Sequence, residues 1–378
     1  MKLVFNAVAS TAGGGKTYLL NLLRYVPAHA GFHGDVWVAP ALADILPSKV
    51  AGFQVRASHL AARGYLGQLF WEQFVLPWRS WLTKAEVIVC LGNVQPLMTP
   101  LPVVLVSANA LYFSDRYASQ LYKRKRYMRL FEYFFKREMV LASAGAADVL
   151  VTPTRAMADH LGAAGEQAHV MPFGHHQPSS EFRVKPDSTK IKFLIVSFYN
   201  YFRNFETVFR GIALLRKRMW TPVQLLMTTE IRRGLSLGGY DTTQAFELLE
   251  ELDLFGTVLT VGETPNHRVA ELYAEADIVI CPGYIESFSF TLVEAMAQGC
   301  AVLASDIPAH REVSGGNAAF FAPLDPQDFA RQAELLIEDA SLRNSLAAAG
   351  PTQAQNFSWA KHFGDLFGLI ESARRGVK

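Results

Sequence analysis

Two acidic residues, Glu286 and Glu294, have seven residues between them in the segment DIVICPGYIESFSFTLVEAMAQGCAVLASD (277–306). The apolar run DIVIC reads as a buried strand that ends at Pro282-Gly283. TLVEAMAQ fits one face of a helix, and Gly299 fits its C-terminal stop. The turn between them then presents the backbone amides of Ser289, Phe290 and Thr291 at a helix N-terminus, where a diphosphate is stabilised by unpaired N–H groups and the helix dipole. Each carboxylate also has a structural reading. Thr291-x-x-Glu294 is a capping box, and Glu286 is an acid in a solvated loop.

A second candidate is ASTAGGGKTYLL (8–19). A phosphate loop of the ATP-hydrolysing kind needs a glycine where this chain has Ser10. It also needs an apolar strand ending in Asp to hold Mg²⁺. EVIVC, VVLVSAN and FLIVSF do not end that way, and DIVIC begins with its Asp. ATP hydrolysis is therefore disfavoured. Two readings stay open: a glycine turn that lets backbone amides approach a ligand, and a plain tight strand-to-helix turn.

The elements that must carry these turns follow from hydrophobic patterning. DVWVAP, EVIVC, VVLVSAN and DVLVTP in the first half, and KFLIVSF, VQLLMT, DIVICPG and CAVLAS in the second, are continuous apolar runs separated by helix-length stretches. That pattern predicts parallel sheets covered on both faces. With 378 residues, half of them hydrophobic, the chain exceeds one ordinary core. The pattern-poor stretch MPFGHHQPSSEFRVKPDSTK (171–190) is the expected linker, with His175 and His176 suiting a hinge better than a metal. The expected division is a Rossmann-like domain over 1–175, a second over 188–355, and a terminal helix over 356–378 able to pack back on the first. Ligands of doubly wound sheets bind at the carboxyl ends of the strands.

The 277–306 segment resembles the retaining glycosyltransferases of family 4, whose hallmark is E-x7-E within P-S-x-x-E-G-F-G-L-x-x-x-E-A-M-A-x-G-x-P-V. PGYIESFSFTLVEAMAQGCAV follows that pattern, and ELYAEADIVICP and SDIPAHREV flank it in the same way. FYNYFRNFETVFRGIALL (198–215) is similar to the family's K-N-x-E segment, and the opening glycine turn fits as well. The resemblance implies an α/β protein of the GT-B fold, two doubly wound Rossmann-like domains facing a central cleft. It implies retaining, metal-independent transfer of a sugar from a nucleotide-diphosphate donor to a glycan or lipid-linked acceptor, with no cofactor. In that scheme Glu286 faces the donor sugar and stabilises positive charge, and Glu294 accepts from the ribose hydroxyls. The amides of Phe288, Ser289, Phe290 and Thr291 hold sugar and diphosphate, and Arg203 neutralises the leaving diphosphate. Gly13, Gly14 and Gly15 let the first domain's backbone approach donor and acceptor, leaving Lys16-Thr17 as ordinary helix sequence.

Three departures from the family stand out. Ser287 and Ser289 replace the glycines usual around the loop's first Phe, and Phe198 replaces an arginine. SANALYF, with Ser107 and Asn109, stands where many relatives have a histidine; Asn109 can bond a sugar hydroxyl but cannot exchange protons near neutrality. A non-catalytic GT-B subunit, or a sugar-nucleotide epimerase or phosphorylase, is the rival reading. YKRKRYMRLFEYFFKR (122–137) combines seven basic residues with aromatics and reads either as a peripheral contact to anionic lipid or as an ordinary amphipathic helix. The tryptophans of WEQFVLPWRSW (71–81) read as packing rather than as rings for sugar stacking, although the same rings serve both. A net charge of +2 gives no nucleic-acid footprint. Cys90, Cys281 and Cys300 read as buried free thiols, MKLVFNAVAS as a first strand rather than a signal peptide, and no run of 18 apolar residues occurs, so a cytoplasmic protein, free or at the inner membrane face, is expected.

Overall fold

The structure is a computed structural model and describes residues 1–26, 31–175 and 190–376, apart from the side chain of Asn266. His176 and most of the expected linker lie outside the described residues. The chain divides into two compact units, Met1–Gly174 with Phe357–Lys378, and His175–Asn356.

The first unit is built on β1 (Lys2–Ala7), β2 (His33–Val38), β3 (Lys49–Val50), β4 (Phe53–Ala57), β5 (Val87–Cys90), β6 (Val103–Val106), β7 (Val149–Thr152) and β8 (His169–Val170). Their order is β3-β4-β2-β1-β5-β6-β7-β8, parallel except for the β3–β4 pair. The second unit adds β9 (Ile191–Ile195), β10 (Val223–Met227), the small antiparallel pair β11 (Ser236–Leu237) and β12 (Tyr240–Asp241), β13 (Val258–Thr260), β14 (Ile278–Cys281), β15 (Ala301–Ser305) and β16 (Ala319–Phe321). Its main sheet runs β13-β10-β9-β14-β15-β16, all parallel. The central strands are buried on both faces, as their unbroken apolar runs require. In each sheet the direction of winding reverses once, at β1/β5 and at β9/β14. Helices leave such a point to opposite faces, so the strand ends there open a crevice.

Phe357–Lys378 belongs to the first unit through the helix Trp359–Gly376. His362 Nδ1 donates to the Pro172 carbonyl at 3.1 Å, which leaves Nε2 to accept from the Tyr18 hydroxyl at 2.9 Å. Gly174 is required at this junction, because a Cβ there would lie 2.1 Å from the Trp359 backbone nitrogen.

A buried carboxylate sits beside β1. Glu72, 2% exposed within the π-helical turn Trp71–Val75, accepts from Gln68 Nε2 at 3.0 Å and from Asn6 Nδ2 at 3.5 Å. Burial raises its pKa to about 7, against these hydrogen bonds and Lys136. The folded state therefore binds more protons than the unfolded chain between the ordinary value of 4.5 and about 7, and stability falls as pH rises through that window. Glu72→Gln removes this slope and is expected to gain about 3 kcal/mol on the wild type between pH 5 and pH 8. Urea midpoints at the two pH values measure it; parallel shifts of both proteins contradict it.

Candidate functional site

The crevice at the β9/β14 switch point is lined by Ile195, Val196, Ser197, Arg203, Ile280, Cys281, Pro282, Gly283, Glu286, Ser289, Thr291 and His310.

Arg203 reaches the crevice because the chain after β9 is pinned. Asn200 caps the short 3₁₀ turn Tyr201–Arg203 by accepting from the Arg203 amide at 3.0 Å. Asn204 follows in the left-handed region (φ +57°), where Asn is among the residues best tolerated. Its Nδ2 donates to the Pro282 carbonyl at 3.1 Å, its Oδ1 accepts from the Thr207 hydroxyl at 2.6 Å, and the Tyr284 amide donates to the Phe202 carbonyl at 3.2 Å. These bonds fasten the Arg203 turn to the end of β14. The Arg203 guanidinium then pairs with Glu286 Oε1. The Glu286 side chain is 13% exposed, so it is not the solvated loop acid of the alternative reading. Burial raises its pKa and Arg203 opposes that rise. Gly283 makes room for the carboxylate: a Cβ there would stand 3.2 Å from Glu286 Oε1.

The helix after the loop is Phe290–Ala297, and Gly299 takes the left-handed stop (φ +66°). The capping-box reading fails. Helix onset falls at Phe290, so Thr291 is already inside the helix, and its hydroxyl donates to the Val196 carbonyl at 3.1 Å. Glu294 instead accepts from the Tyr273 hydroxyl at 3.1 Å. Burial raises its pKa to about 7, and the Tyr273 bond opposes this. Phe288 is buried and meets Phe290 edge-on at 5.3 Å, which anchors the loop from below. Cys281 is a free thiol pushed up to about 12, first by burial and then by Glu286, and is no nucleophile at neutral pH.

Arg203, Glu286, Ser289 and Thr291 thus share one crevice, with Glu294 in the helix that leaves it. Gly13, Gly14, Gly15 and Asn109 belong to the first unit. There Gly13 (φ +54°) opens the helix Gly13–Tyr25 after β1, and Lys16 and Thr17 lie within it. Asn109 follows β6, and its side chain accepts from the Leu111 amide at 3.1 Å. Asn93 Oδ1 holds that turn by accepting from the amides of Ala108 and Asn109 at 2.6 and 2.9 Å. Tyr273, Asn204 and His310 escaped sequence reasoning; the last stood in SDIPAHREV without a role. His175 Nε2 bonds the Ala354 carbonyl at 3.1 Å, a structural contact. Of the three tryptophans read as packing, only Trp71 is buried; Trp78 and Trp81 are 56% and 62% exposed.

Residues 177–353 match the family model described as Glycosyl transferases group 1. D-inositol 3-phosphate glycosyltransferase of Rhodococcus erythropolis is 32% identical over 133 residues, 35% of this chain and 29% of that protein. O-antigen chain mannosyltransferase B of Escherichia coli is 31% identical over 140 residues, 36% of this chain and 37% of that one. The matched part therefore spans about a third of these relatives' length. Among solved structures, sucrose-phosphate synthase of Thermosynechococcus elongatus superposes with a TM-score of 0.77 over 99% of this chain and 100% of that one, at 17% identity. HepE of Anabaena, solved with UDP and glucose, gives 0.72 over 98% and 100%, also at 17%. The fold is GT-B, and the homologues are glycosyltransferases.

Ser289 has φ +78°, a region that strains any side chain. Ser289→Gly is expected to raise stability by about 1 kcal/mol, and Ser289→Ala to bring no such gain. Thermal denaturation decides; a Gly variant that melts below the wild type rejects strain at this position.

Proposed function

We propose that this protein is a glycosyltransferase of the retaining, family 4 type that moves a hexosyl unit from a nucleotide diphosphate to a glycan or lipid-linked acceptor in polysaccharide or glycolipid synthesis. The observation that carries this reading is the crevice that joins Arg203 and Glu286 to the N-terminus of the helix bearing Glu294. The two carboxylates are those of the E-x7-E spacing. As the bond from the sugar to the diphosphate breaks, its electron pair leaves on the phosphate oxygen. Arg203 and the helix-end amides meet that negative charge without a metal, and Glu286 faces the cationic sugar. Glu294 accepts from the ribose hydroxyls. Gly14 and Gly15 are assigned to donor binding, and Gly13 and Asn109 to the acceptor or sugar side.

The two carboxylates should separate in a kinetic test. Screening UDP, GDP and dTDP sugars identifies the donor, with EDTA present throughout. Glu294→Ala is expected to weaken nucleoside diphosphate binding roughly ten- to a hundredfold, the worth of one hydrogen bond to a charged group. Glu286→Gln is expected to depress kcat while leaving donor affinity nearly intact. Full kcat in the Glu286 variant removes it from the mechanism; donor binding without turnover in the wild type favours a binding subunit. Activity that EDTA abolishes and Mg²⁺ restores refutes metal independence.

For the acceptor, the surface of the first unit supports a contact with anionic lipid at the inner membrane face. Among the described residues no helix is long and apolar enough to cross a bilayer. The stretch 122–137 exposes Tyr122, Tyr127, Met128, Phe131 and Phe134 beside its lysines and arginines. A second stripe, Leu66, Phe70, Phe74, Trp78 and Trp81, is exposed at helical spacing, and the two helical stretches meet where Tyr65 touches Phe135 at 5.8 Å. Rings of this kind seat at the bilayer interface while cations meet lipid phosphates, at about 1 kcal/mol for each Lys or Arg. The protein is expected to co-sediment with phosphatidylserine vesicles at low salt and to be released at high salt. Replacing Lys123, Arg124, Lys125 and Arg126 with glutamine should abolish this; a wild type indifferent to vesicles refutes the contact.

A further inference from the structure

His310 lines the crevice and is 1% exposed, close to the start of the helix Pro308–Ser314. Its Nδ1 lies 2.9 Å from the Ser305 carbonyl oxygen and 3.1 Å from the Ser305 hydroxyl. A carbonyl oxygen only accepts, so Nδ1 carries the proton, and in the neutral ring Nε2 is a bare acceptor. The Ser305 hydroxyl donates onward to the Gly283 carbonyl, which fixes the turn that holds the ring. Burial, with Arg203 adding to it, lowers the pKa to about 4, so the ring stays neutral across the working range.

Nε2 has no hydrogen-bond partner among the described residues, and Arg203 Nε lacks one too. The contrast with His362 is informative. That ring is anchored the same way, through Nδ1 to a carbonyl, and its Nε2 is satisfied by the Tyr18 hydroxyl. At His310 no hydroxyl of the described residues fills the equivalent position. A buried acceptor left empty is costly, whereas a hydroxyl satisfies it, and a hydroxyl oxygen can also accept from Arg203 Nε.

We infer that His310 Nε2 accepts a hydrogen bond from a hydroxyl of the donor's glycosyl unit, making His310 a residue that recognises the sugar rather than the nucleotide. This rests on the donor reading above. Water cannot replace the bond once the sugar occupies the crevice, so affinity for the sugar nucleotide, relative to its nucleoside diphosphate, reports it.

Two substitutions separate recognition from support. Asn places an amide nitrogen near Nδ1 and nothing at Nε2; Gln places an amide oxygen near Nε2 and loses the Ser305 anchor. Calorimetric titrations with UDP, GDP, UDP-glucose, UDP-N-acetylglucosamine and GDP-mannose are compared for the wild type, His310→Asn and His310→Gln. The gain in affinity that the sugar confers is expected to fall about five- to tenfold in His310→Asn and by less than about twofold in His310→Gln, with UDP and GDP affinities unchanged. Thermal melts confirm that both variants are folded. The reverse order, or equal retention, overturns the inference and leaves His310 as a support for the Ser305 turn. A wild type that binds none of the five probes removes the donor reading itself, and this assignment with it.

Discussion

A carboxylate taken out of water needs a cation held where it cannot drift away, and the second unit is organised around meeting that need for Glu286. Moving such a group into a protein interior costs several kcal/mol unless a partner answers it. Arg203 is the partner, but a long guanidinium side chain is a reliable one only if its backbone is fixed. Asn200, Asn204 and the Phe202–Tyr284 bond supply that fixation, and Gly283 leaves the space that the carboxylate occupies. The pair is half open to the crevice rather than sealed, since Arg203 keeps 29% of its side-chain exposure. An ion pair in that setting can exchange part of its mutual attraction for a ligand's charge.

The sheet explains why this happens at β9 and β14. Parallel strands must be joined by helices on one face or the other, and only where the winding reverses do neighbouring strand ends lack a crossing connection above them. The first unit has the same relative order around β1 and β5, although the two halves share no repeat in sequence. Its reversal point holds the glycine turn on one side and, beneath it, the Asn6–Trp71–Glu72 cluster, in which the Trp71 indole donates to Asn6 Oδ1 at 3.3 Å. Both units thus bury a carboxylate near the reversal. In the first it is enclosed by amides, and in the second it faces an arginine and an opening. The same architecture yields an acid held by amides in one place and an acid paired with an arginine at an open crevice in the other.

The exposed aromatics of the first unit follow a different rule. A helix that covers a sheet normally turns its large apolar residues inward, so a row of phenylalanines and tryptophans left facing out costs solubility and marks a surface built to meet something. Here the row crosses two helical stretches and is bordered by Lys123, Lys125 and Arg126, all exposed. The lipid contact proposed above rests on this combination of exposed rings and neighbouring cations.

Taken alone, the sequence determined the strands that are buried on both faces, because continuous apolar runs such as VIVC and IVIC have few other stable environments. It also determined the loop-to-helix segment around Glu286 and the stop at Gly299, since spacing and glycine chemistry are local. It did not reveal the edge strands β3, β8, β13 and β16, which are two or three residues long and owe their existence to a neighbour's open edge. It also left Glu286 and Glu294 each with a structural alternative, because only tertiary packing decides whether a carboxylate meets water, a helix amide, an arginine or a tyrosine. Arg203 and Glu286 are 83 positions apart, and Glu294 meets Tyr273 from a separate helix. His310 was invisible for the same reason: an imidazole acquires a defined tautomer and an empty acceptor only when the fold sets one nitrogen against a carbonyl and leaves the other with no partner.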